Sequence, residues 1–136
     1  MQKVLDFNAD DKFEYEFKVS ERVYEGFLTT FNDNNPLHTD EAFAVNHGFR
    51  GKVMHGNILN GFISFFIGEC LPAKNVIIHS QEIQFKNPVY LNDVLRFEAS
   101  VTDVYESVRA IGFKFTFKNQ ELKVVSKGKI QIGLLV

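Results

Sequence analysis

Residues 54–71 constrain the fold most, because apolar side chains cover nearly every side of this segment. These apolar side chains belong to Ile58, Leu59, Phe62, Ile63, Phe65, Phe66 and Ile67. A helix that is apolar all round has to be enclosed by other elements. Polar residues and glycines interrupt the run, which is shorter than the roughly 20 residues that cross a bilayer. The sequence therefore predicts a central core helix and no membrane span.

The second half of the chain predicts an antiparallel sheet. Apolar and polar residues alternate in four segments, residues 76–85, 94–104, 107–118 and 121–132. Such alternation is typical of strands with one buried and one wet face. We expect Asn119 and Gln120 to form the last hairpin turn. In the strand after this turn, we expect Leu122 and Val124 to share the apolar face.

The first half contributes one strand and two short helices. Alternation over residues 13–19 predicts the strand, and Ser20 is placed to cap a helix that ends near Phe31. Thr39 is a candidate cap for a second helix, with Gly48 just past its end. We expect an α+β fold in which an antiparallel sheet wraps a central apolar helix. A chain of 136 residues leaves no room for a second core, so we expect one domain, residues 1–136.

Composition narrows the classes of function and partner. The 15 basic and 17 acidic residues give a net charge of −2, which lacks the field that duplex DNA or an anionic membrane attracts. The single cysteine, Cys70, cannot form an internal disulfide, and residues 1–11 show no basic-then-apolar leader, which favours the cytoplasm. The four histidines lack metal-ligand spacing, so we expect no metal. We likewise expect neither a nucleic-acid nor a membrane partner.

One segment and several shorter strings carry a family resemblance. An aromatic residue precedes Asp-x-Asn-Pro-aliphatic-His, and a small residue follows after five more positions. In this chain the strings are Phe27 to His38 with Ala44, Val53-Met54-His55-Gly56 with Ser64, and Phe85-Lys86-Asn87-Pro88-Val89 with Asp93. They resemble the MaoC-like, (R)-specific enoyl-CoA hydratase family from about Phe27 onward.

The resemblance implies a fold, an activity and a set of roles. It implies the hot-dog fold, a homodimer with active sites at the subunit interface, and an acyl-CoA or acyl-carrier-protein thioester as substrate. The reaction is reversible hydration of a trans-2-enoyl thioester to the (R)-3-hydroxyacyl thioester, with coenzyme A or phosphopantetheine entering only as part of the substrate and no cofactor required. It assigns Asp33 and His38 to the water, Gly56 to the thioester oxygen, and Ser64 to a supporting position.

The residue types suit this chemistry. Adding water across a conjugated double bond needs a base for the water and an acid for C2, and imidazole exchanges protons near neutral pH. Pro36 fixes its own φ and disfavours helix at Asn35, so Asp33 and His38 lie on a bent loop where they can converge. The Gly56 amide, near the start of the apolar helix, is placed to meet the developing oxyanion.

The chain departs from the family pattern in two places. Phe31-Asn32 replaces the usual Ser-Gly, and Asn57 replaces a common Met. Asn32 tolerates positive φ, so we expect the bend to persist. Phe31 and Asn57 affect the size and polarity of the pocket. We expect these two residues to contact substrate, together with Asn35 and Ser64.

Other interpretations remain open at this point. Taken alone, the Asp33 segment is an ordinary polar turn and His38 a structural hydrogen-bonding residue. The same fold also supports a 3-hydroxyacyl-carrier-protein dehydratase in fatty-acid or polyketide-type synthesis, a thioesterase, or a non-catalytic acyl-binding module. Four basic residues are candidate contacts for the phosphates of the carrier group, namely Arg50, Lys52, Lys74 and Lys86.

Overall fold

The computed structural model describes residues 6–136, so residues 1–5 of the predicted domain lie outside the described residues. Five strands and four α-helices follow one another within residues 6–136. They are β1 (Lys12–Lys18), α1 (Glu21–Phe31), α2 (Pro36–Thr39), α3 (Glu41–Asn46), α4 (Ile58–Phe65), β2 (Val76–Phe85), β3 (Val94–Tyr105), β4 (Ala110–Lys118) and β5 (Val124–Leu134). A π-helical turn, Phe66–Cys70, prolongs α4, and a 3₁₀ turn, Glu106–Val108, follows β3.

The five strands form one antiparallel sheet in the order β1-β3-β4-β5-β2, which confirms the predicted α+β layout. The core lies between α4 with its π-helical extension and one face of this sheet. Phe66 is fully buried, and its ring packs on Phe13 of β1, Phe97 of β3 and Phe113 of β4, with centroids 5.5, 4.8 and 6.0 Å away. Aromatic contacts thus join the central helix to three strands.

Helix α1 begins and ends as the sequence predicts. The Ser20 hydroxyl accepts a hydrogen bond from the Val23 amide at 3.2 Å, which satisfies a free donor of the first turn. Asn32 adopts φ 56° and donates its amide to the Leu28 carbonyl, which ends the helix. The expected bend at Asn32 is therefore confirmed, and it directs the chain into the Asp33 loop.

The prediction for the central helix is wrong in two respects. Met54 is extended, because its amide donates to the Val89 carbonyl at 2.8 Å and Val53 forms a β-bridge with Tyr90, so the helix begins only at Ile58. The helix is also not fully enclosed, because the sheet covers only part of its surface and Phe65 is 52% exposed. Within residues 6–136, no helix is long and apolar enough to cross a membrane.

Side-chain caps shift the short helices relative to the prediction. Asn35 caps α2 by accepting from the Leu37 amide, with Pro36 at the first helical position. Thr39 consequently lies inside α2, and Asp40 caps α3 by accepting from the Phe43 amide at 3.1 Å. The predicted Thr39 cap is therefore wrong by one residue. Gly48 lies past the end of α3 with φ 92°, as expected.

The last two strands also differ in detail. The 3₁₀ turn and a left-handed Arg109 delay β4 to Ala110. The last hairpin loop covers residues 119–123 rather than two residues, because the Asn119 side chain accepts from the amides of Glu121 and Lys123. Leu122 adopts φ 62° and is 74% exposed, so its predicted place on the apolar face is wrong.

Packing between β2 and β5 predicts a stability difference between two glycines. A Cβ on Gly128 would collide with the Glu82 carbonyl oxygen and lie 2.8 Å from the Phe115 ring, whereas a Cβ on Gly26 in α1 would meet nothing within 4 Å. We expect Gly128→Ala to lower the free energy of unfolding by about 1–3 kcal/mol, as overpacking does. We expect Gly26→Ala to raise it by about 0.5–1 kcal/mol. Urea titration measures both, and equal stability of the two variants would contradict this packing.

Candidate active site

The loop between α1 and α2 presents the Asp33 carboxylate. After Asn32 turns the chain, Asp33 Oδ1 accepts a hydrogen bond from the Asn35 amide at 3.2 Å. The Asn35 side chain in turn caps α2, which starts at Pro36. These two hydrogen bonds from side chains to backbone stabilise a tight turn. One oxygen of the Asp33 carboxylate, Oδ1, is therefore bonded to a backbone amide. The other oxygen, Oδ2, faces α2.

Helix α2 presents His38 to the same point. His38 Nδ1 lies 2.7 Å from the Val53 carbonyl oxygen, which can only accept, so Nδ1 carries the hydrogen. In the neutral ring Nε2 is then an acceptor, and it lies 3.9 Å from Asp33 Oδ2. The imidazole is mostly enclosed, with 16% of its side chain exposed, whereas the carboxylate is 50% exposed. An imidazole that is fixed by a hydrogen bond therefore faces a carboxylate that is partly open to solvent.

The separation of these two atoms is informative. At 3.9 Å, Nε2 and Oδ2 are too far apart for a direct hydrogen bond, whose heavy atoms lie about 2.7–3.2 Å apart. Two polar groups at this spacing are suited to share one water molecule. The arrangement can therefore orient a water between a base and a carboxylate.

Gly56 lies beside the pair, at the amino end of α4. Residues 33, 38 and 56 line one cleft of about 470 Å³, whose wall includes Phe85 and Lys86. A Cβ on Gly56 would approach the Phe85 ring to 2.9 Å, so only glycine fits without a shift. Within residues 6–136, no backbone carbonyl accepts from the Gly56 amide. This amide belongs to the positive end of the helix dipole, and it is available to an oxyanion.

The predicted substrate contacts are distributed over different surfaces. Asn57 lines both the cleft and a neighbouring apolar groove between α1 and α4, and Phe31 lines only that groove. Asn35 is exposed, with its side chain used in the α2 cap. Ser64 is exposed on α4, outside both linings. The described chain thus brings Asp33, His38, Gly56 and Asn57 together in the cleft, and it places Phe31 in the groove that Asp33 and Asn57 also line. Asn35 and Ser64 lie outside both linings.

The four basic residues that were candidate contacts for the carrier phosphates lie in different places. Lys86 lines the cleft. Arg50 lies over the Tyr90 ring and within 4 Å of two carboxylates, Lys74 pairs with Glu69, and Lys52 lies over the Tyr24 ring. Of these four residues, only Lys86 therefore lies in the wall of the cleft. The available signal was that Lys86, unlike Arg50, Lys52 and Lys74, belongs to one of the strings that carry the family resemblance.

One further residue of the site, His55, was not among the candidate site residues predicted from sequence. His55 is buried, with its Nε2 2.9 Å from the Asp33 carbonyl oxygen, and its ring centroid lies 4.1 Å from that of His38. The His55-Gly56 string was the available signal. Donor atoms of Asp33, His38 and His55 all lie within 4.8 Å of one another, close enough to be considered as metal ligands. A metal bound through His55 Nε2 would displace its hydrogen bond to Asp33, and the absence of a metal stays a prediction.

Known proteins share both the sequence pattern and the architecture. The chain matches the family described as MaoC like domain over residues 6–123. An (R)-specific enoyl-CoA hydratase from Aeromonas caviae is 38% identical over 80 residues, which cover 59% of this chain and 60% of that protein. One from Rhodospirillum rubrum is 32% identical over 98 residues, covering 72% of this chain and 68% of that protein.

A solved structure extends the similarity to nearly the whole fold. The (R)-hydratase from A. caviae involved in PHA biosynthesis superposes with a TM-score of 0.87 and 26% identity, covering 96% of this chain and 98% of that one. The sequence match to the A. caviae relative nevertheless spans less than two thirds of that protein. The fold is the hot-dog fold that the resemblance implied. With its family match extending over residues 6–123, the chain belongs to the MaoC-like domain family.

Proposed function

We propose that this protein is a hydro-lyase that reversibly adds water to trans-2-enoyl thioesters and yields (R)-3-hydroxyacyl thioesters. The observation that carries the proposal is the 3.9 Å separation of His38 Nε2 and Asp33 Oδ2 in a cleft that also contains Gly56. The relatives named (R)-specific enoyl-CoA hydratase support the substrate class and the stereochemistry. The acyl thioester of coenzyme A or of a carrier protein is the proposed partner.

The first step in the proposed mechanism activates water. His38 donates Nδ1–H to Val53, so Nε2 is free to take a proton from a water that Asp33 Oδ2 also holds. The water oxygen attacks C3 of the enoyl group as its proton passes to Nε2. General base catalysis of this kind typically contributes a factor of about 10²–10⁴ in rate.

The second half of the reaction returns a proton. As the C3–O bond forms, the double-bond electrons move toward the thioester, and negative charge develops on its carbonyl oxygen. The Gly56 amide is placed to donate to this oxygen, where one well-placed donor is worth about 10²–10³ in rate. The Asp33 and His38 pair then gives a proton to C2, which restores the pair and completes the addition of one water.

The stoichiometry of the proposed reaction indicates whether it needs a cofactor. One water is added, the formal oxidation of C3 is offset by the reduction of C2, so that no external oxidant or reductant is needed, and both proton transfers involve protein side chains. We therefore propose that no redox cofactor and no metal takes part. Coenzyme A or phosphopantetheine enters only as part of the substrate. Lys86 lines the cleft and is therefore, of the four basic candidates, the one best placed to contact the phosphates of the carrier group.

We further propose that a second copy of the chain completes the site. Strand β2 is an edge of the sheet, ten residues long, and Ile77, Ile78 and Phe85 on it are exposed. A long apolar edge invites pairing with another strand. Phe85 also lines the cleft, so a two-fold contact along β2 would lie beside the active site. The exposed face of α4 with Ser64 and Phe65 is a second surface for that copy to cover.

Loss of either member of the pair is expected to abolish most of the hydration. We expect Asp33→Asn and His38→Ala each to lower the kcat for crotonyl-CoA at least about 100-fold, as removal of an acid–base group does. Loss of the conjugated enoyl-thioester absorbance measures the rate. Asp103→Asn and His47→Ala change an exposed Asp and an exposed His outside the cleft and serve as matched controls with unchanged kcat. Activity of both site variants at the wild-type rate would refute the assignment.

The same assay separates the alternatives. Release of free thiol without hydration would identify a thioesterase. Turnover of carrier-bound 3-hydroxyacyl substrate, with none of coenzyme A thioesters, would identify a carrier-protein dehydratase. A ligand-induced rise in Tm without any turnover would identify a non-catalytic acyl-binding module.

Charge on the β2 edge is expected to break the dimer. Lysine on an edge strand disfavours strand addition, so we expect Ile77→Lys to give a monomer and lower activity. Val108→Lys places the same charge on an exposed apolar residue of the 3₁₀ turn and is the control, expected to stay dimeric. Sedimentation velocity at micromolar concentration measures the state. A monomeric wild type with full activity would contradict the interfacial site.

A further inference from the structure

Among the described residues that line the cleft, His55 has the most enclosed polar side chain. Its side chain is 3% exposed and lies directly before Gly56 in the chain. Its Nε2 lies 2.9 Å from the Asp33 carbonyl oxygen, and aromatic rings surround it. None of the steps in the mechanism above uses this residue. A buried histidine with this set of contacts therefore needs its own account.

The hydrogen bond to Asp33 determines which nitrogen of His55 carries the hydrogen. A carbonyl oxygen only accepts, so Nε2 is the donor, and Nδ1 is the bare nitrogen of a neutral ring. Within residues 6–136, this Nδ1 is buried without a hydrogen-bond partner. Leaving a buried polar atom unpaired is costly, and such atoms in native proteins call for an explanation. The hydrogen bond from Nε2 to the main chain of Asp33 accounts for the unpaired Nδ1 on the other side of the His55 ring.

The ring of His55 also contacts His38. The two imidazole centroids are 4.1 Å apart with planes inclined by 32°, and the Phe27 ring lies 4.7 Å from His55. Tyr24 adds a further contact, because its hydroxyl donates to the His38 carbonyl at 2.6 Å. His55 is thus packed between the aromatic side of α1 and the ring of His38. Replacing His55 by a side chain of another shape would therefore allow the imidazole plane of His38 to rotate.

From these contacts we infer that His55 is a positioning residue for the pair Asp33 and His38. One edge of its ring holds the loop that carries Asp33, and its π-face holds the ring of His38. Neither of its nitrogens is available to substrate, because Nε2 is bonded and Nδ1 is buried. This inference rests on the proposed function, since it explains how the 3.9 Å spacing is kept. An error of about 1 Å in such a spacing can cost 100-fold in rate.

Two substitutions separate the two contacts of His55. Gln keeps a donor that can reach the Asp33 carbonyl and removes the ring, whereas Phe keeps a ring against His38 and removes the donor. We expect His55→Gln and His55→Phe each to lower kcat at least about tenfold with KM changed less than about twofold, the pattern of a loss felt in the chemical step. His55→Ala, which removes both the donor and the ring, is expected to lose more than either of these two variants.

His47 provides a matched control. Its Nδ1 also bonds a main-chain oxygen, that of Phe43 at 2.7 Å, and its ring also lies on an aromatic ring, 4.2 Å from that of Phe43. It is exposed and does not line the cleft. We expect His47→Gln and His47→Phe to leave kcat and KM unchanged. Loss of activity in these variants as large as in those of His55 would overturn the inference.

Nuclear magnetic resonance tests the inference without turnover. Long-range ¹H–¹⁵N spectra report which nitrogen of each histidine carries hydrogen, and we expect Nε2–H at His55 and Nδ1–H at His38 in the wild type. In both His55 variants we expect the His38 signals to shift toward a mixture of tautomers. Unchanged His38 signals, or Nδ1–H at His55, would overturn the inference even if the protein had no hydratase activity.

Kinetics then distinguish the remaining outcomes. A wild type that hydrates crotonyl-CoA and an inactive Asp33→Asn variant establish the proposed function independently of His55. Given that result, a raised KM with unchanged kcat in the His55 variants would make the residue a substrate contact and overturn the inference. Reduced Tm with unchanged kcat in the folded protein would make it merely structural, and would overturn it equally.

Discussion

The packing of α4 and its π-helical extension on the sheet is the constraint on which the rest of the structure depends. Phe66 inserts among rings from three strands, and the dispersion and hydrophobic free energy of that contact fix the helix axis. The helix axis in turn fixes where its amino end lies. Gly56 is at this end, so the core determines the position of a backbone amide in the cleft. The site is therefore an outcome of packing as much as of polar chemistry.

Around that amide the chain uses main-chain atoms to hold side chains. The Val53 carbonyl binds His38, the Asn35 amide binds Asp33, and the Asp33 carbonyl binds His55. Backbone atoms are less free to move than side chains, so each contact restrains the functional group that it binds. The β-bridge between Val53 and Tyr90 extends the same support to the segment that precedes β3. A site of few residues is thus tied to several elements of the fold.

Sequence reasoning succeeded where a local rule decides the outcome. Alternation identified the strands, and Ser20 and Asn32 marked the limits of α1. The family resemblance pointed to Asp33 and His38, which meet in the cleft. It failed where side chains compete for the same backbone. Asp40 forms the cap of α3 that was assigned to Thr39, and the Asn119 side chain stabilises a longer hairpin loop than the two residues predicted. Short polar side chains bond whichever amide is nearest, and sequence order does not show which that is.

The amino-acid order alone determined the class of fold, the apolar helix and the residues that carry the family motif, because these follow from periodicity and spacing within short segments. Tertiary structure decided which face of α4 remains exposed and that Ser64 lies apart from the cleft. It also brought His55 onto His38 across 17 positions of sequence and left Lys86 as the basic residue in the wall. These relations depend on how separate elements pack together, and contacts between distant segments leave no period in the sequence.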